Sequence, residues 1–293
     1  MTRHTQPTRF DGRSRTIGPG ADLLHVHDHF ESAAHRDPAT TWDTFTRTWN
    51  WAAPLPTARP AVEPGAGPVA RPVDGGFSLS GRWHLSVHPH LVWFVLPLAT
   101  PGDTADEDGW DLVVLPGGAR LPFGPSGNRP TGALELTDAY VPAGLATRRS
   151  GVPLRATDEI FVGVAVTAMA LGATRRLTDV LARLADGNRS AALPAAELAA
   201  LTHDEQAALR STLYGLRGAC ESAARATGPL TRAVNVARRV VAGAYEGAIA
   251  FVSPDGRHPL AYLIEAATPI LQVTRFVEDF ATRPHPHRAE GPA

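Results

Sequence analysis

The sequence predicts an α+β protein in which a β domain precedes an up-down four-helix bundle. Three observations carry this. Residues 73–142 hold short apolar runs broken by Gly, Pro and Asp, among them "LVWFVLPL" (91–98), "WDLVVLP" (110–116) and "GALELTDAYV" (132–141). After Pro153 the apolar spacing lengthens to the helical period in four successive stretches. The 293 residues, 43% of them hydrophobic, suffice to fill more than one core.

Taken in order, residues 1–20 read as a polar, disordered tail and residues 21–52 as two short helices. In the second helix Trp42, Phe45 and Trp49 fall on one face. A Pro/Gly-rich connector spans 53–72, and the β domain 73–153 follows. The bundle occupies 154–282, leaving a second disordered tail at 283–293. Its first helix, 158–186, is almost wholly apolar from Ile160 to Ala173, which suits a helix buried on every side. The second opens at Thr202-His203-Asp204-Glu205, a capping-box pattern, and keeps Leu209, Leu213, Leu216 and Cys220 on one stripe. The third, 229–251, aligns Val234, Ala237, Val241, Ala244 and Ala248. The fourth, 259–281, aligns Leu260, Leu263, Ala267, Ile270 and Val277 and contains Pro269, which predicts a kink.

Composition narrows the chemistry. A net charge of −1 gives no electrostatic footprint for nucleic acid or an anionic membrane. All 28 basic residues are arginines, which removes lysine Schiff-base chemistry and any phosphate loop ending in Gly-Lys. The arginine bias, with abundant Ala, Gly and Pro, suggests a GC-rich genome such as an actinomycete's. Cys220 is the only cysteine, so neither an intramolecular disulfide nor a cysteine zinc site can form. Its place on an apolar face reads as core packing. The N-terminus lacks the apolar stretch of a secretion signal, and no run reaches the roughly 18 apolar residues of a membrane span. The expectation is a soluble, cytoplasmic chain.

Two histidine clusters stand out. "HVHDHF" (25–30) offers His25, His27, Asp28 and His29; no further ligand stands at motif spacing, so it reads as a polar helix face rather than a metal site. "GRWHLSVHPH" (81–90) places His84, His88 and His90 beside Trp83. On a regular strand His84, Ser86 and His88 share one face, opposite Trp83 and Leu85. Histidine suits general acid/base work near neutral pH, and an exposed strand face is the plainer alternative.

Three segments carry a resemblance. "ARPVDGGFSLSGRW" (70–83) is similar to a Gly-Gly-Tyr-x-x-Ser-Gly-x-Trp strand entry, and "GALELTDAYVPAGL" (132–145) to a strand exit ending in Val-Pro. "GVAVTAMALGATRRLTDVLARLA" (163–185) is similar to a first bundle helix with an Ala-x-x-Leu-Gly-x-Ala-Arg core. These segments resemble the acyl-CoA dehydrogenase superfamily, in particular its flavin-dependent monooxygenase and nitrososynthase branch. The resemblance implies a middle β-barrel or sandwich domain followed by the bundle, with an isoalloxazine ring held between them. By that resemblance Trp83 and Ser86 contact FAD or FMN, and Arg275 falls in a loosely matching "QVTRFVEDF" (272–280). Three departures stand against it. Val87 replaces a glycine, "PSGNRPTG" (125–132) replaces Arg-Gly-Thr-Gly-Ser, and the N-terminal helical domain is cut to two helices.

The resemblance implies a flavin-dependent oxidoreductase of monooxygenase type, acting on a small-molecule or carrier-bound intermediate of secondary metabolism. A separate reductase would supply reduced flavin, and His84 or His88 would handle protons. Glu246, in Tyr245-Glu246-Gly247, resembles the catalytic base of true acyl-CoA dehydrogenases, although it lies on the third bundle helix rather than near the chain's end. The alternative is a flavin-free cyclase or isomerase on the same scaffold. A third option is a non-catalytic partner of a full-length homologue. A homo-oligomer, dimer or tetramer, is expected by resemblance only.

Overall fold

The computed structural model describes residues 17–53, 55, 57, 59–60, 68–86, 94–97, 110–114, 131–148, 151–155, 158–216 and 222–282. The protein is α+β, with small antiparallel sheets followed by four long helices.

Two helices open the chain. Helix α1 (Leu23–Arg36) is capped by Asp22, whose carboxylate accepts from His25 N–H at 3.0 Å. Helix α2 (Pro38–Thr48) is capped by Asp37, with Pro38 at its first position. Two hydrogen bonds from Thr40, backbone first, hold the Asp37 carboxyl below the usual range. Trp42 and Phe45 share the buried face of α2 as their spacing predicts. Trp49 does not continue it. The helix ends at Thr48, and Trp49 enters strand β1 (Trp49–Asn50), which pairs in parallel with β9 (Val152–Pro153). Trp49 is nonetheless buried, edge-on to Phe161 at 5.3 Å.

Strand β4 (Gly76–Ser86) is the spine of the main sheet. On one edge it pairs with β3 (Val69–Val73) and β2 (Arg59–Pro60), and on the other with β7 (Thr131–Pro142). A second sheet has β6 (Trp110–Val114) between β5 (Phe94–Pro97) and β8 (Ala146–Arg148).

The β4–β7 ladder contains a bulge that the sequence explains. Leu79 pairs with Ala139 and Gly81 with Leu136, so Thr137 and Asp138 together face Ser80. Asp138 adopts φ 49°, a left-handed conformation that Asp tolerates better than most residues. Its N–H donates to Ser80 Oγ at 2.9 Å, and its carboxylate accepts from the Ser78 and Ser80 hydroxyls at 3.3 Å. The bulge re-phases β7, so that Leu134 and Val141 both face the core despite their odd separation.

Helix α3 (Glu159–Leu184) is the centre of the molecule. Helices α1, α4 (Arg189–Gly215), α5 (Ser222–Ala248) and α6 (Ala261–Thr282) all pack on it. Every residue from Phe161 to Thr174 is buried, which accounts for its lack of a polar face. By length and composition α3 could cross a membrane, but 83% of its most apolar window is buried within the protein. Gly172 lets α1 approach it closely: a Cβ there would lie 2.2 Å from Glu31 O. A second close approach docks the β domain on the bundle. Gly144 N–H donates to Gln272 Oε1 at 3.2 Å, and a Cβ on Gly144 would lie 2.6 Å from Pro269 Cα.

The second bundle helix begins earlier than its capping-box pattern predicts. Helix α4 starts at Arg189, thirteen residues upstream of Thr202. Thr202 Oγ1 donates back to Leu198 O at 2.9 Å, a mid-helix bond, and Glu205 accepts from Arg232 Nε of α5 through both carboxylate oxygens. Helix α5 likewise starts at Ser222 and runs through Pro229, and α6 runs through Pro269.

Candidate functional site

The strand that carries Trp83 has two unlike faces. Leu79 and Trp83 are fully buried, while Arg82 and His84 are exposed. Arg82 there pairs with Glu135 of β7 at 3.2 Å. Gly81 explains the Gly-x-Trp spacing: with φ 152° it carries no Cβ where one would sit 3.0 Å from Trp83 Cη2 and 2.7 Å from Pro68 Cα. The indole therefore lies back over the glycine in the core. Its Nε1 is buried and has no hydrogen-bond partner among the described residues, an unmet donor of the kind that buried indoles rarely leave.

The remaining predicted residues are dispersed. Ser86 is the last residue of β4, opposite Thr131. Glu246 is exposed on α5 and Arg275 on α6. His88, His90, Val87, Cys220, most of "PSGNRPTG", the 101–109 loop, residues 1–16 and residues 283–293 lie outside the described residues.

A cluster that the sequence reading missed lies between α1, α3 and α4. A polar cleft of about 830 Å³ is lined by Glu31, Arg175, Asp179, His203, Gln206 and Arg210, among others. Glu31 accepts from Arg175 at 2.8 Å, and His35 bonds Asp179 at 2.7 Å. Both ties join residues 144 apart, so α1 and α3 run side by side in one register. Asp28 is tied to Arg210 of α4. Glu31 and Gln206 are at least nine-tenths buried. Charges along the walls are matched in sign, so the cleft suits a neutral, hydrogen-bonding ligand better than a multiply charged one. The one legible trace is the matched spacing of four, Glu31/His35 against Arg175/Asp179.

Behind this cleft the "HVHDHF" run divides. His25 and His29 are exposed, but His27 is fully buried. His27 Nδ1 donates to Asp28 Oδ1 at 3.0 Å, and Nε2 is buried without a partner among the described residues. Burial pushes its pKa below the usual value, against the opposing pull of Asp28. Among the described residues no three His, Cys, Asp or Glu side chains gather as a metal site.

No protein-family model and no curated protein matches the sequence. Solved structures do. The chain is similar to 3-HSA hydroxylase from Rhodococcus sp. RHA1, at 15% identity and TM-score 0.42, covering 89% of this chain and 81% of that one. It is similar to butyryl-CoA dehydrogenase from Megasphaera elsdenii at 17% identity and TM-score 0.37, covering 88% and 82%. A structure of KijD3 in complex with FMN matches at 18% identity and TM-score 0.33, covering 92% and 77%. The solved structures it matches thus include a hydroxylase, a monooxygenase and a dehydrogenase, all at low identity. At these values the likeness transfers no residue's role, cofactor or substrate to this chain.

Proposed function

We propose that the chain is a flavin-dependent oxidoreductase of monooxygenase type. Its substrate would be a small-molecule or carrier-bound intermediate of secondary metabolism, and its reduced FAD or FMN would come from a separate reductase. The observation that carries this reading is the unmet Trp83 Nε1–H, on the strand whose sequence resembles a flavin wall. Flavin rings present an edge rich in carbonyl and imine acceptors, so a fixed indole donor fits them. When bound, flavin supplies the electrons for oxygen activation. Trp83 would orient the ring by that one donor, and Gly81 leaves room for the indole beside it. His84 is on the opposite face and cannot share a ring with Trp83 in one subunit. A proton-handling role for it therefore requires substrate on the outer face.

The complete burial of Trp83 favours a second reading, a flavin-free cyclase or isomerase. The polar cleft of α1, α3 and α4, which none of Trp83, Ser86, Glu246 and Arg275 lines, would then hold the intermediate in a reactive conformer.

Titration of the purified protein with FAD and FMN, oxidised and anaerobically reduced, separates the two. The flavin reading expects micromolar or tighter binding of at least one form, weakened roughly 2- to 10-fold by Trp83→Phe, the loss of one net hydrogen bond. Absence of binding in all four titrations refutes it and leaves the flavin-free reading, testable by turnover without cofactor.

A further inference from the structure

The polar cleft between α1, α3 and α4 has a floor and a mouth of opposite hydrogen-bonding sense. Its buried residues, which form the floor, are Glu31, Thr178, Thr202 and Gln206. The Thr178 hydroxyl donates to Arg175 O and the Thr202 hydroxyl to Leu198 O, both at 2.9 Å. With their hydrogens engaged on their own helices, these two oxygens can only accept from a ligand. The Glu31 carboxylate accepts as well, and its bond from Arg175 takes one of roughly four lone-pair sites. At the mouth stand the partly exposed Arg175 and Arg210, which can only donate. Arg175 Nη1 donates to Glu31 Oε1 at 2.8 Å and Arg210 Nη1 to Asp28, one bond from a guanidinium that carries about five N–H donors.

We propose that this cleft binds a primary carboxamide, or a neutral group with the same N–H and C=O edge such as a ureide. The amide N–H groups go inward to Glu31, Thr178 and Thr202, and the carbonyl faces the guanidinium groups at the mouth. Gln206 is itself a primary amide and can close a reciprocal pair with such a group. A carboxylate brings no hydrogen to this floor and sets its charge against the buried Glu31. An amidinium brings hydrogens at both ends and no acceptor for the arginines. The wall charges are matched already, Arg175 with Glu31, Arg210 with Asp28 and His35 with Asp179, while His203 stands exposed at the rim. An ion entering the cleft therefore competes with a partner in place, and a neutral amide does not. The floor is also held before any ligand arrives. At Gly172 the helices come so close that a Cβ would lie 2.2 Å from Glu31 O, which fixes α1 against α3. The inference stands under either reading of the chemistry, because none of these residues belongs to the Trp83 strand.

Three probes of one shape test this: benzamide, benzoate and benzamidine, which are neutral, anionic and cationic. Each is titrated into the full-length 15N-labelled protein, and the Gln206 side-chain amide signal, assigned by its loss in Gln206→Leu, is followed. Benzamide should shift that signal with a dissociation constant at least roughly tenfold below those of both ions, the worth of two net hydrogen bonds. Ala207→Trp, a substitution at an exposed position of the cleft wall, should weaken benzamide binding at least roughly tenfold. It should leave the FAD and FMN titrations unchanged, so failure here is distinct from failure of the flavin reading. No shift of the Gln206 signal up to the solubility of benzamide overturns the inference. So does equal or tighter binding of benzoate or benzamidine, which makes the cleft an ion site. Benzamide binding that Ala207→Trp leaves intact overturns it too, because the amide then sits elsewhere.

Discussion

Replacing Gly172 with alanine places a methyl group 2.2 Å from Glu31 O and 2.9 Å from His35 N, both in the backbone of α1. Backbone atoms cannot rotate away as a side-chain tip can, so α1 must recede by about 1 Å, a gap that forfeits a quarter to a half of each contact's dispersion well. The residues that lose contact are the buried Val26, Phe30 and Ala34, and the Glu31–Arg175 tie at 2.8 Å is stretched. Overpacking of this kind costs roughly 1–3 kcal/mol, and the lost dispersion adds to it. Alanine returns about 1 kcal/mol of helix propensity. The expected net destabilisation is about 2–3 kcal/mol by urea unfolding. Gly163→Ala on the same helix is the control. Its Cβ meets only Leu230 Cδ1, at an ordinary 3.5 Å, so it should be neutral or stabilising by up to about 1 kcal/mol. Amide exchange should speed up in α1 for Gly172→Ala alone. Two variants of equal stability, or unchanged protection of α1, would refute the close approach and the packing inferred from it.

Two further predictions concern single side chains. His27 has an ordinary pKa near 6.5 that burial lowers, so below pH 6.5 the unfolded chain binds a proton that the folded chain does not. Its contribution to stability is therefore complete above pH 6.5 and is lost as pH falls, at up to about 1.4 kcal/mol per pH unit. The difference between wild type and His27→Leu in urea unfolding should shrink as the pH falls below 6.5, and a flat difference would contradict the burial. Asp138→Gly should keep the β7 bulge, whereas Asp138→Val forces a branched side chain to positive φ and should cost about 1–2 kcal/mol more in the same assay. Equal stabilities would mean that the left-handed turn is absent.

The parts of the fold that were legible in the sequence are those where local pattern and tertiary burial agree. The apolar run of α3 reads as a helix buried all round because α1, α4, α5 and α6 pack around it. The stripe Leu260, Leu263, Ala267, Ile270 and Val277 of α6 is buried at every position. Thr202 to Glu205 misled because a capping box is defined by residue types alone. Here Glu205 is drawn to Arg232 on another helix, and the helix upstream of Thr202 is held by Ala195, buried in an apolar cluster with Leu177, Leu181, Ala244 and Leu263. Trp49 fits the helical period only by coincidence with its burial from a strand. Among the site residues, the opposed faces of Trp83 and His84 follow from strand parity. His27 was invisible for a different reason. Nothing in "HVHDHF" tells which histidine turns inward until Val26 and Phe30 are known to face α3.

The centrality of α3 has a consequence for how the chain comes to be folded. Until α1, α4, α5 and α6 arrive, a segment as apolar as a membrane span stands without cover. Three of those four partners are synthesised after it, and of the four only α1 precedes it. The nascent protein thus presents a sticky, bilayer-like stretch for as long as some hundred residues take to emerge, which is several seconds at ordinary rates of synthesis. Holdase chaperones, self-association and misdirection to a membrane all compete for that interval. The yield of native protein is set by how fast the later helices close over α3.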